Sequence, residues 1–294
     1  MNKHIEELLL TKYNYKVKNY TFIGEGWMSK AYLLNDDTIL RVPKSDYASE
    51  DLYKESMLLP IVNEVLTIET PKFEIFDKQE NGKWFVTYKA INGKFHDKES
   101  FFNLDDARIN VFMNDLADIM DQLNSIEVIN ELKDEFTTDI KQEYIDEYKV
   151  YKSRVFNLLD QLTLKNVNKI YEDYISDENN FKYEPKLIHA DISFDHLVFN
   201  PESDKLKGLI DFGDLTFSDP AFEYMYILDG FGLRFMKELM NKRNISDQER
   251  TISKVKFFLL IDNISIIDEG VKKDNQELIE EGIELVRTTL DTFY

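Results

Sequence analysis

Apolar and polar positions alternate in short runs along the first ninety residues, a spacing that is typical of β-strands. The strand that begins at Thr38 stops at Val42, because Pro43 has no backbone N–H to donate to a ladder. Turn residues separate the runs, as in Asn35-Asp36-Asp37 and Glu80-Asn81-Gly82. The predicted elements are helices at Ile5–Leu10 and Glu50–Val65 and strands at Lys16–Ile23, Ala31–Leu34, Thr38–Val42, Lys72–Phe76 and Lys83–Tyr88.

After Gly93 the apolar spacing changes to that of amphipathic helices, and strands become short. This pattern predicts an α+β protein with two lobes. Residues 1–93 form a five-stranded antiparallel sheet with one main helix, and residues 94–294 form a larger, mainly helical lobe, with a hinge near 88–93. The predicted helices are Asp105–Asn124, Thr138–Leu162, Lys165–Ile175, Ala221–Leu239 and the stretch Thr251–Thr292, and the predicted strands are Lys186–His189, His196–Phe199 and Leu206–Ile210.

The composition excludes several kinds of site and of location. The chain of 294 residues contains no cysteine, which excludes disulfides, thiolate metal sites and cysteine nucleophiles. No apolar run reaches the roughly 18 residues of a membrane span, and the first fifteen residues do not resemble a secretory signal. We therefore expect a cytoplasmic protein, with a monomer as the simplest oligomeric state.

The negative charge of the chain lies almost entirely in its second part. Residues 96–294 hold 42 acids and 23 bases, which accounts for −19 of the formal net charge of −20. An acidic surface keeps a protein soluble, and it also attracts cationic ligands. Binding to nucleic acid is disfavoured, because phosphate contacts need clustered lysine and arginine.

The most informative motif runs from His189-Ala190-Asp191 through His196 to Asp211-Phe212-Gly213. Phosphoryl transfer from a nucleotide needs a carboxylate beside the incoming hydroxyl and ligands that hold a divalent metal on the phosphates. A His-x-Asp motif followed by Asp-Phe-Gly supplies these groups at the spacing found in kinases. Two of the four histidines in the chain lie in this run.

Together with other short motifs, this run resembles the antibiotic kinases, and among them the aminoglycoside 2''-phosphotransferases. The matching segments occur in the expected order over nearly the whole chain. They are Gly24-Glu25-Gly26, Leu40-Arg41-Val42-Pro43-Lys44, Lys54-Glu55, Leu187-Ile188-His189-Ala190-Asp191-Ile192-Ser193, Asp195-His196, Gly208-Leu209-Ile210-Asp211-Phe212-Gly213-Asp214 and Ser218-Asp219-Pro220.

The resemblance implies a catalytic role for Asp191, which would orient the acceptor hydroxyl and take its proton. Asp211 and His196 would hold Mg²⁺, with His196 where protein kinases carry a metal-binding asparagine. Mg²⁺ prefers oxygen ligands, so the assignment of His196 as a metal ligand depends on the resemblance alone. His189 is expected to hold the loop together rather than to take part in the chemistry.

The nucleotide phosphates are expected to lie under the glycine loop, where Gly24 and Gly26 permit close backbone approach and Ser29 follows. The resemblance aligns Arg41 with the lysine that kinases place on their third strand, and Arg41 would pair with Glu55. Lys44 remains the alternative for the phosphate contact.

The nucleotide base is expected at the hinge. Tyr88 aligns with the residue that guards the deep part of that pocket, the backbone from Lys89 to Ile91 would meet the base, and Ile210 would line the site. A bulky tyrosine is expected to obstruct the adenine mode, and relatives of this branch can use GTP. The resemblance therefore implies GTP or ATP as the phosphate donor, with a preference for GTP.

Carboxylates around the acceptor hydroxyl would bind a polycationic aminoglycoside. The candidates are Asp214, Glu223, Asp229 and Asp262, together with Asp191. Two departures from the family pattern, Ala221 after Asp219-Pro220 and Gly230 after Asp229, keep a macrolide or another small molecule as the alternative acceptor. A nucleotide-binding pseudokinase or ligand sensor is the alternative without activity.

Overall fold

The computed structural model describes residues 3–127 and 139–294, and the chain divides into two compact units. Unit 1 consists of Met1–Ile126 and Asp191–Leu215, and unit 2 of Glu127–Ala190 and Thr216–Tyr294. Unit 1 thus joins the predicted sheet lobe to residues that follow the hinge, whereas the sequence places the boundary at residue 93. The lobe boundary at 93 stays a prediction.

Helices and strands follow one another in the described residues in an order close to the predicted one. The helices are α1 (Lys3–Tyr13), α2 (Asp46–Val65), α3 (Lys98–Phe102), α4 (Asp106–Asn124), α5 (Ile140–Arg154), α6 (Gln161–Ser176), α7 (Met225–Lys242), α8 (Gln248–Lys272) and α9 (Gln276–Phe293). The strands are β1 (Tyr20–Glu25), β2 (Ser29–Leu34), β3 (Thr38–Pro43), β4 (Phe73–Lys78), β5 (Trp84–Lys89), β6 (Lys186–Ile188), β7 (Leu197–Phe199), β8 (Leu206–Leu209) and β9 (Thr216–Ser218).

Unit 1 contains a five-stranded antiparallel sheet in the order β1-β2-β3-β5-β4, which confirms the predicted sheet. The turn between β2 and β3 holds Asn35 and Asp36 at φ of 50° and 66°, a conformation that these residue types tolerate. Because β3 pairs with β2 on one side and β5 on the other, its side chains lie in the middle of the sheet.

The two faces of this sheet pack against different helices. One face contacts α1 through buried residues that include Leu40, and the other face contacts α2, where Leu52 is buried against β5. Ser45 caps α2 by accepting a hydrogen bond from the backbone N–H of Ala48 at 3.0 Å. Successive strand residues point to opposite faces, so Arg41 lies on the face that α2 covers.

A short hairpin in unit 1, β7–β8, is paired on both sides by other segments of that unit. Lys94 and Phe199 exchange backbone hydrogen bonds of 2.9 and 2.8 Å on the β7 side. On the β8 side, Glu69 donates to the Lys207 carbonyl at 2.9 Å and accepts from Leu209 N–H at 3.0 Å. The hairpin is therefore held as the middle of a small four-segment ladder.

Two glycines permit this close approach. A Cβ atom at Gly93 would lie 2.3 Å from Val198 Cγ1 and 2.7 Å from the Phe199 carbonyl oxygen. A Cβ atom at Gly208 would lie 2.9 Å from the Glu69 carbonyl oxygen. Any larger residue would push the neighbouring backbone away, so the packing of the hairpin depends on these two positions.

Unit 2 is mainly helical, with a small two-stranded sheet of β6 and β9. Its core is rich in aromatic rings. Tyr174 stacks on Phe257 with the two rings 8° from parallel, and Tyr148 stacks on Tyr171 with ring centroids 4.6 Å apart. The tyrosine and phenylalanine rings of unit 2 are thus used for packing. No helix among the described residues is long and apolar enough to cross a membrane.

Some predicted element boundaries are wrong. A single helix is predicted for Thr138–Leu162, and Thr138 lies outside the described residues. The helix ends at Arg154, because a 3-10 turn follows and Asp160 caps α6. The stretch from Thr251 to Thr292 is two helices, since Asp274 has a positive φ and Asn275 caps α9. Helix α3 and strand β9 were not predicted, because elements of five and three residues carry little periodicity.

We expect Gly93→Ala to lower the free energy of unfolding of unit 1 by about 1–3 kcal/mol, the usual cost of overpacking. The added methyl group would overlap Val198 and the Phe199 backbone. Gly24→Ala is the matched control, because nothing lies within 4 Å of a Cβ atom there. Urea denaturation of both variants checks this, and an equal loss in both would contradict it.

Candidate active site

The glycine loop joins β1 to β2 and is open on its outer side. Gly26 N–H donates to the Ser29 carbonyl at 3.0 Å, which closes the loop. Lys44 reaches this loop, with its Nζ atom 2.8 Å from Glu25 Oε1 and 3.1 Å from the Gly26 carbonyl oxygen. Lys44 therefore contacts the loop itself and lies apart from the ion pair that Arg41 makes.

Arg41 bridges two carboxylates near the centre of unit 1. Its Nη1 atom lies 2.9 and 3.0 Å from the two oxygens of Glu55, on α2. Its Nη2 atom lies 3.1 Å from Asp211 Oδ1. The side chains of Arg41 and Glu55 are 9% and 0% exposed, whereas that of Asp211 is 48% exposed. The structure thus shows the pairing of Arg41 with Glu55 that the resemblance implies, and adds Asp211 to it.

The electrostatics of this bridge keep Arg41 charged. Burial alone would lower the pKa of the Arg41 guanidinium, but the carboxylates of Glu55 and Asp211 outweigh burial and hold that pKa above its usual value. Burial raises the pKa of Glu55, and Arg41 opposes that rise. One cation facing two carboxylates leaves the group with a net negative charge, which suits a site for a cation.

The loop that follows Ala190 brings Asp191 and His196 together. His196 Nδ1 lies 2.9 Å from the Asp191 carbonyl oxygen, 3.4 Å from Asp191 Oδ2 and 3.2 Å from Ser193 Oγ. Burial would lower the pKa of His196, but the hydrogen bond and charge of Asp191 raise it to about 9. The contacts with Asp191 therefore favour the protonated imidazole.

Asp211 lies in a left-handed backbone conformation directly after β8 and Ile210. Its φ and ψ are 61° and 68°, a conformation that aspartate adopts more readily than most residues with a Cβ atom. One carboxylate oxygen faces Arg41, and the other lies 3.5 Å from His196 Nε2. The left-handed backbone thus places the carboxylate between a guanidinium and an imidazole.

These residues fit a metal that takes most of its ligands from phosphate and water. The described part of the chain contains no group of three or more histidine, cysteine or acidic side chains arranged around a common metal position. Mg²⁺ in nucleotide sites binds through one or two carboxylates plus phosphate oxygens and water, so Asp211 suits it. His196 could join only after losing its proton, because both ring nitrogens donate in the charged form.

A cavity of about 620 Å³ in unit 1 borders this group. It receives seven of the predicted nucleotide residues and both predicted metal ligands: Gly24, Gly26, Ser29, Arg41, Tyr88, Ile91, Ile210, His196 and Asp211. Its other lining residues are Ile23, Glu25, Ala31, Ile39, Ala90, Phe95, Asp195 and Val198. Ile39 could have been found from the sequence, because it lies two positions before Arg41 on the same strand face.

Lys89 is a predicted nucleotide residue that does not line the cavity. Its ammonium group lies 2.8 Å from Asp37 Oδ2 and 3.1 Å from Thr38 Oγ1. The backbone N–H of Ala90 donates to the Asp37 carbonyl at 2.8 Å. Both groups therefore hold the hinge to the β2–β3 turn. Glu55 does not line the cavity either, and it lies behind Arg41. Lys44 also lies outside the cavity lining, where it contacts the glycine loop.

The predicted acceptor carboxylates are divided between the two units. In unit 1, Asp214 follows Asp211 in a 3-10 turn, and partial desolvation raises its pKa to about 6, with the charges of Asp191 and Asp211 adding to the rise. In unit 2, Asp229 is exposed on α7 and Asp262 is partly exposed on α8.

Glu223 has a structural role within unit 2. It is 1% exposed, and its Oε1 atom accepts a hydrogen bond from the backbone N–H of His189 at 3.2 Å. Arg243 lies 3.9 Å from its other oxygen. The carboxylate therefore fixes the chain at buried His189, just before Asp191, and we leave it out of the proposed acceptor set.

This chain is similar to known proteins over most of its length. The sequence model of the phosphotransferase enzyme family, APH, matches residues 19–252. The solved GDP and kanamycin complex of APH(2'')-IIIa is similar to this chain at 28% identity with a TM-score of 0.93, over 100% of both chains. The GDP complex of wild-type aminoglycoside 2'-phosphotransferase-IIIa gives 28% identity and a TM-score of 0.92, over 99% of both chains. A macrolide 2'-phosphotransferase type I has a TM-score of 0.72 over 97% of this chain and 96% of its own; at 13% identity it shows the fold alone.

We expect Arg41→Met to lower the free energy of unfolding by about 3–5 kcal/mol, because it leaves the buried Glu55 carboxylate without a cation. Lys44→Met is the control, since the Lys44–Glu25 pair is partly exposed and such pairs contribute about 1 kcal/mol or less. Chemical denaturation measures both. Adding Glu55→Gln to Arg41→Met should recover part of the loss, and a loss unchanged by the second substitution would contradict this explanation.

Proposed function

Because the chain belongs to the phosphotransferase enzyme family, we propose that it transfers the γ-phosphate of GTP or ATP to an aminoglycoside. By resemblance, the acceptor is the 2''-hydroxyl, and the modification would confer antibiotic resistance. The relative described as a GDP and kanamycin complex supports both the nucleotide and the class of acceptor. A cytoplasmic monomer remains the prediction from the sequence.

The observation that carries this proposal is the convergence of Arg41, Asp191, His196 and Asp211 within unit 1. Asp211 meets Arg41 on one side and His196 on the other, and His196 in turn contacts Asp191. In this proposal the loop with Gly24 and Gly26 covers the phosphates, and Arg41 contacts them with its charge. Lys44 is the alternative phosphate contact.

Asp191 is the proposed catalytic residue. Its carboxylate would accept a hydrogen bond from the acceptor hydroxyl, orient that oxygen toward the γ-phosphate and take the proton as the new O–P bond forms. The bond between the γ-phosphorus and its bridging oxygen to the β-phosphate would break in the same step, and GDP or ADP would leave with that oxygen. Asp211 and His196 would hold Mg²⁺, which when bound neutralises the charge of the phosphates. The charge of Arg41 would add to that neutralisation.

The donor is proposed to be GTP in preference to ATP. Tyr88 lines the cavity and is only 6% exposed, so its ring narrows the deep part of the base site beside Ile91. The two relatives at 28% identity are described as GDP complexes, which supports a guanine nucleotide.

The acceptor is proposed to be a cation, bound by carboxylates. Asp214, Asp229 and Asp262 are the proposed contacts beside Asp191, and residues 96–294 carry −19 of the net charge. The macrolide alternative is supported by Ala221 and by a fold shared with a macrolide kinase. Asp211-Phe212 favours the aminoglycoside, since macrolide kinases usually have Asp-Trp at this place.

We expect purified protein with Mg²⁺ and GTP to phosphorylate kanamycin, and Asp191→Asn to lower kcat by at least about 100-fold through loss of the base. Mass spectrometry and NMR of the product would identify the acceptor hydroxyl, and a macrolide panel tests the alternative. Asp118→Asn, a change of an exposed carboxylate on α4 that does not line the cavity, is the control. If no aminoglycoside or macrolide gained a phosphate, the pseudokinase or sensor reading would replace the enzyme.

A second prediction concerns the donor. Tyr88→Met should increase kcat/KM with ATP relative to GTP, because a flexible side chain opens the deep part of the base site. Steady-state kinetics with both nucleotides measure the ratio. Phe73→Met, a change to a ring that packs on Tyr88 with centroids 5.9 Å apart, controls for general loosening. An unchanged ratio in Tyr88→Met would discard the obstruction by Tyr88.

A further inference from the structure

Asp204 lies at the turn end of the β7–β8 hairpin and is the meeting point of three basic side chains. Its side chain is 6% exposed, and Lys94 makes an ion pair with its Oδ1 atom. His96 Nε2 lies 3.0 Å from the same oxygen, and Arg108 Nη1 lies 3.0 Å from Oδ2. All three partners come from the short stretch of chain that follows the hinge.

The turn that carries Asp204 is itself tightly hydrogen-bonded. Asp204 N–H donates to the Asn200 carbonyl at 3.1 Å, and Asn200 N–H donates to the Lys205 carbonyl at 2.9 Å. Asp204 has a φ of 56°, a left-handed conformation that aspartate tolerates better than most residues. The carboxylate is therefore fixed to the hairpin, and its partners fix the hairpin to the chain after the hinge.

The opposite end of the same hairpin carries the proposed metal ligands. Leu197 pairs with Leu209, and Ile210 N–H donates to the His196 carbonyl at 3.0 Å. His196 directly precedes β7, and Asp211 comes two residues after β8. Strands of three and four residues are about 10–14 Å long, so a tilt at the turn end moves both ligands together.

The chain segment that carries the partners of Asp204 also contacts the neighbourhood of the base site and the catalytic loop. Lys94 lies three residues after Ile91, which lines the cavity, and its backbone pairs with Phe199 of β7. The His96 ring packs edge-on against Phe199 at 4.8 Å, and Phe101 packs against Phe194 at 5.4 Å. Phe194 lies between Asp191 and His196 in the chain.

We infer that Asp204 is a positioning residue, whose ion pairs hold the β7–β8 hairpin in register with the hinge. This register fixes the distance between two parts of the nucleotide site. The base is held near Ile91, and the phosphates are held through Asp211 and His196. Charge-assisted hydrogen bonds between largely buried groups are directional, so they fix the positions of the donor and acceptor side chains relative to each other. The inference rests on the proposed function, since it assigns a role in binding a metal–nucleotide complex.

The variant that tests this inference is Asp204→Asn, which keeps the size of the side chain and removes its charge. The first measurement is the factor by which Mg²⁺ increases GDP affinity, determined by calorimetry with and without MgCl₂. We expect this factor to fall about 5-fold or more. In the kinase assay we expect kcat to fall at least about 10-fold, with the KM for kanamycin changed less than about 2-fold, because misplacement of about 1 Å is enough to cost this much.

Asp268→Asn provides a matched control for the loss of a buried, ion-paired carboxylate. Asp268 is 4% exposed and pairs with Arg154 Nε and Lys272 Nζ, each at 2.9 Å, within unit 2. We expect it to lower thermal stability while leaving the effect of Mg²⁺ on GDP affinity unchanged. Arg108→Met removes a half-exposed partner of Asp204 and is the milder variant, to be used if Asp204→Asn does not fold. We expect it to lower the factor by which Mg²⁺ increases GDP affinity by about 2–3-fold.

Two results would overturn the inference, and they differ from a failure of the proposed function. The first is a wild-type Mg²⁺ effect on GDP affinity that both Asp204→Asn and Arg108→Met retain. The second is an equal loss of that effect in Asp268→Asn, which would make it a consequence of lower stability. A wild-type protein whose GDP affinity does not respond to Mg²⁺ would instead refute the metal role in the proposed function, and the inference with it.

Discussion

Arg41 has to satisfy two carboxylates with one guanidinium, and the arrangement of unit 1 follows from that demand. Glu55 is fully buried on α2 and cannot be left without a cation, so α2 must lie against the face of β3 that carries Arg41. The other terminal nitrogen of Arg41, Nη2, meets Asp211, which directly follows Ile210 after β8. A helix, the centre of the sheet and the end of a hairpin are thus joined through one side chain, at the border of the cavity.

The second constraint is the close packing of the β7–β8 hairpin between the chain at Glu69 and the chain at Lys94. Backbone hydrogen bonds on both of its outer edges require that Gly93 and Gly208 carry no side chain. This packing explains why residues 191–215 belong to the same compact unit as the sheet. In the proposed function, the hairpin connects the proposed base site to the proposed metal ligands.

Much of this was predictable, because the signals are local. Alternating apolar residues with turn signals predicted the five-stranded sheet, and the His-x-Asp and Asp-Phe-Gly motifs predicted the residues that meet beside the cavity. Local signals carry no information on partners that are distant in the chain. Glu223 looks like one more acid near the substrate, and its buried contacts with the backbone N–H of His189 and with Arg243 are visible only in the folded chain. Lys89 is predicted to meet the base through its backbone, and the ion pair of its ammonium group with Asp37 has no signal in the sequence.

The sequence by itself determined the fold class, the family resemblance and the set of candidate reactive side chains, because period, turn chemistry and motif spacing are properties of neighbouring residues. Only the tertiary structure decided that Arg41 bridges Glu55 and Asp211 while Lys44 lies on the glycine loop. It also brought Asp204 to three partners that stand 96 to 110 positions earlier in the chain. Such contacts depend on which helices and strands pack together. The free energy that stabilises this packing comes from contacts throughout the core, and no short segment of the sequence contains it.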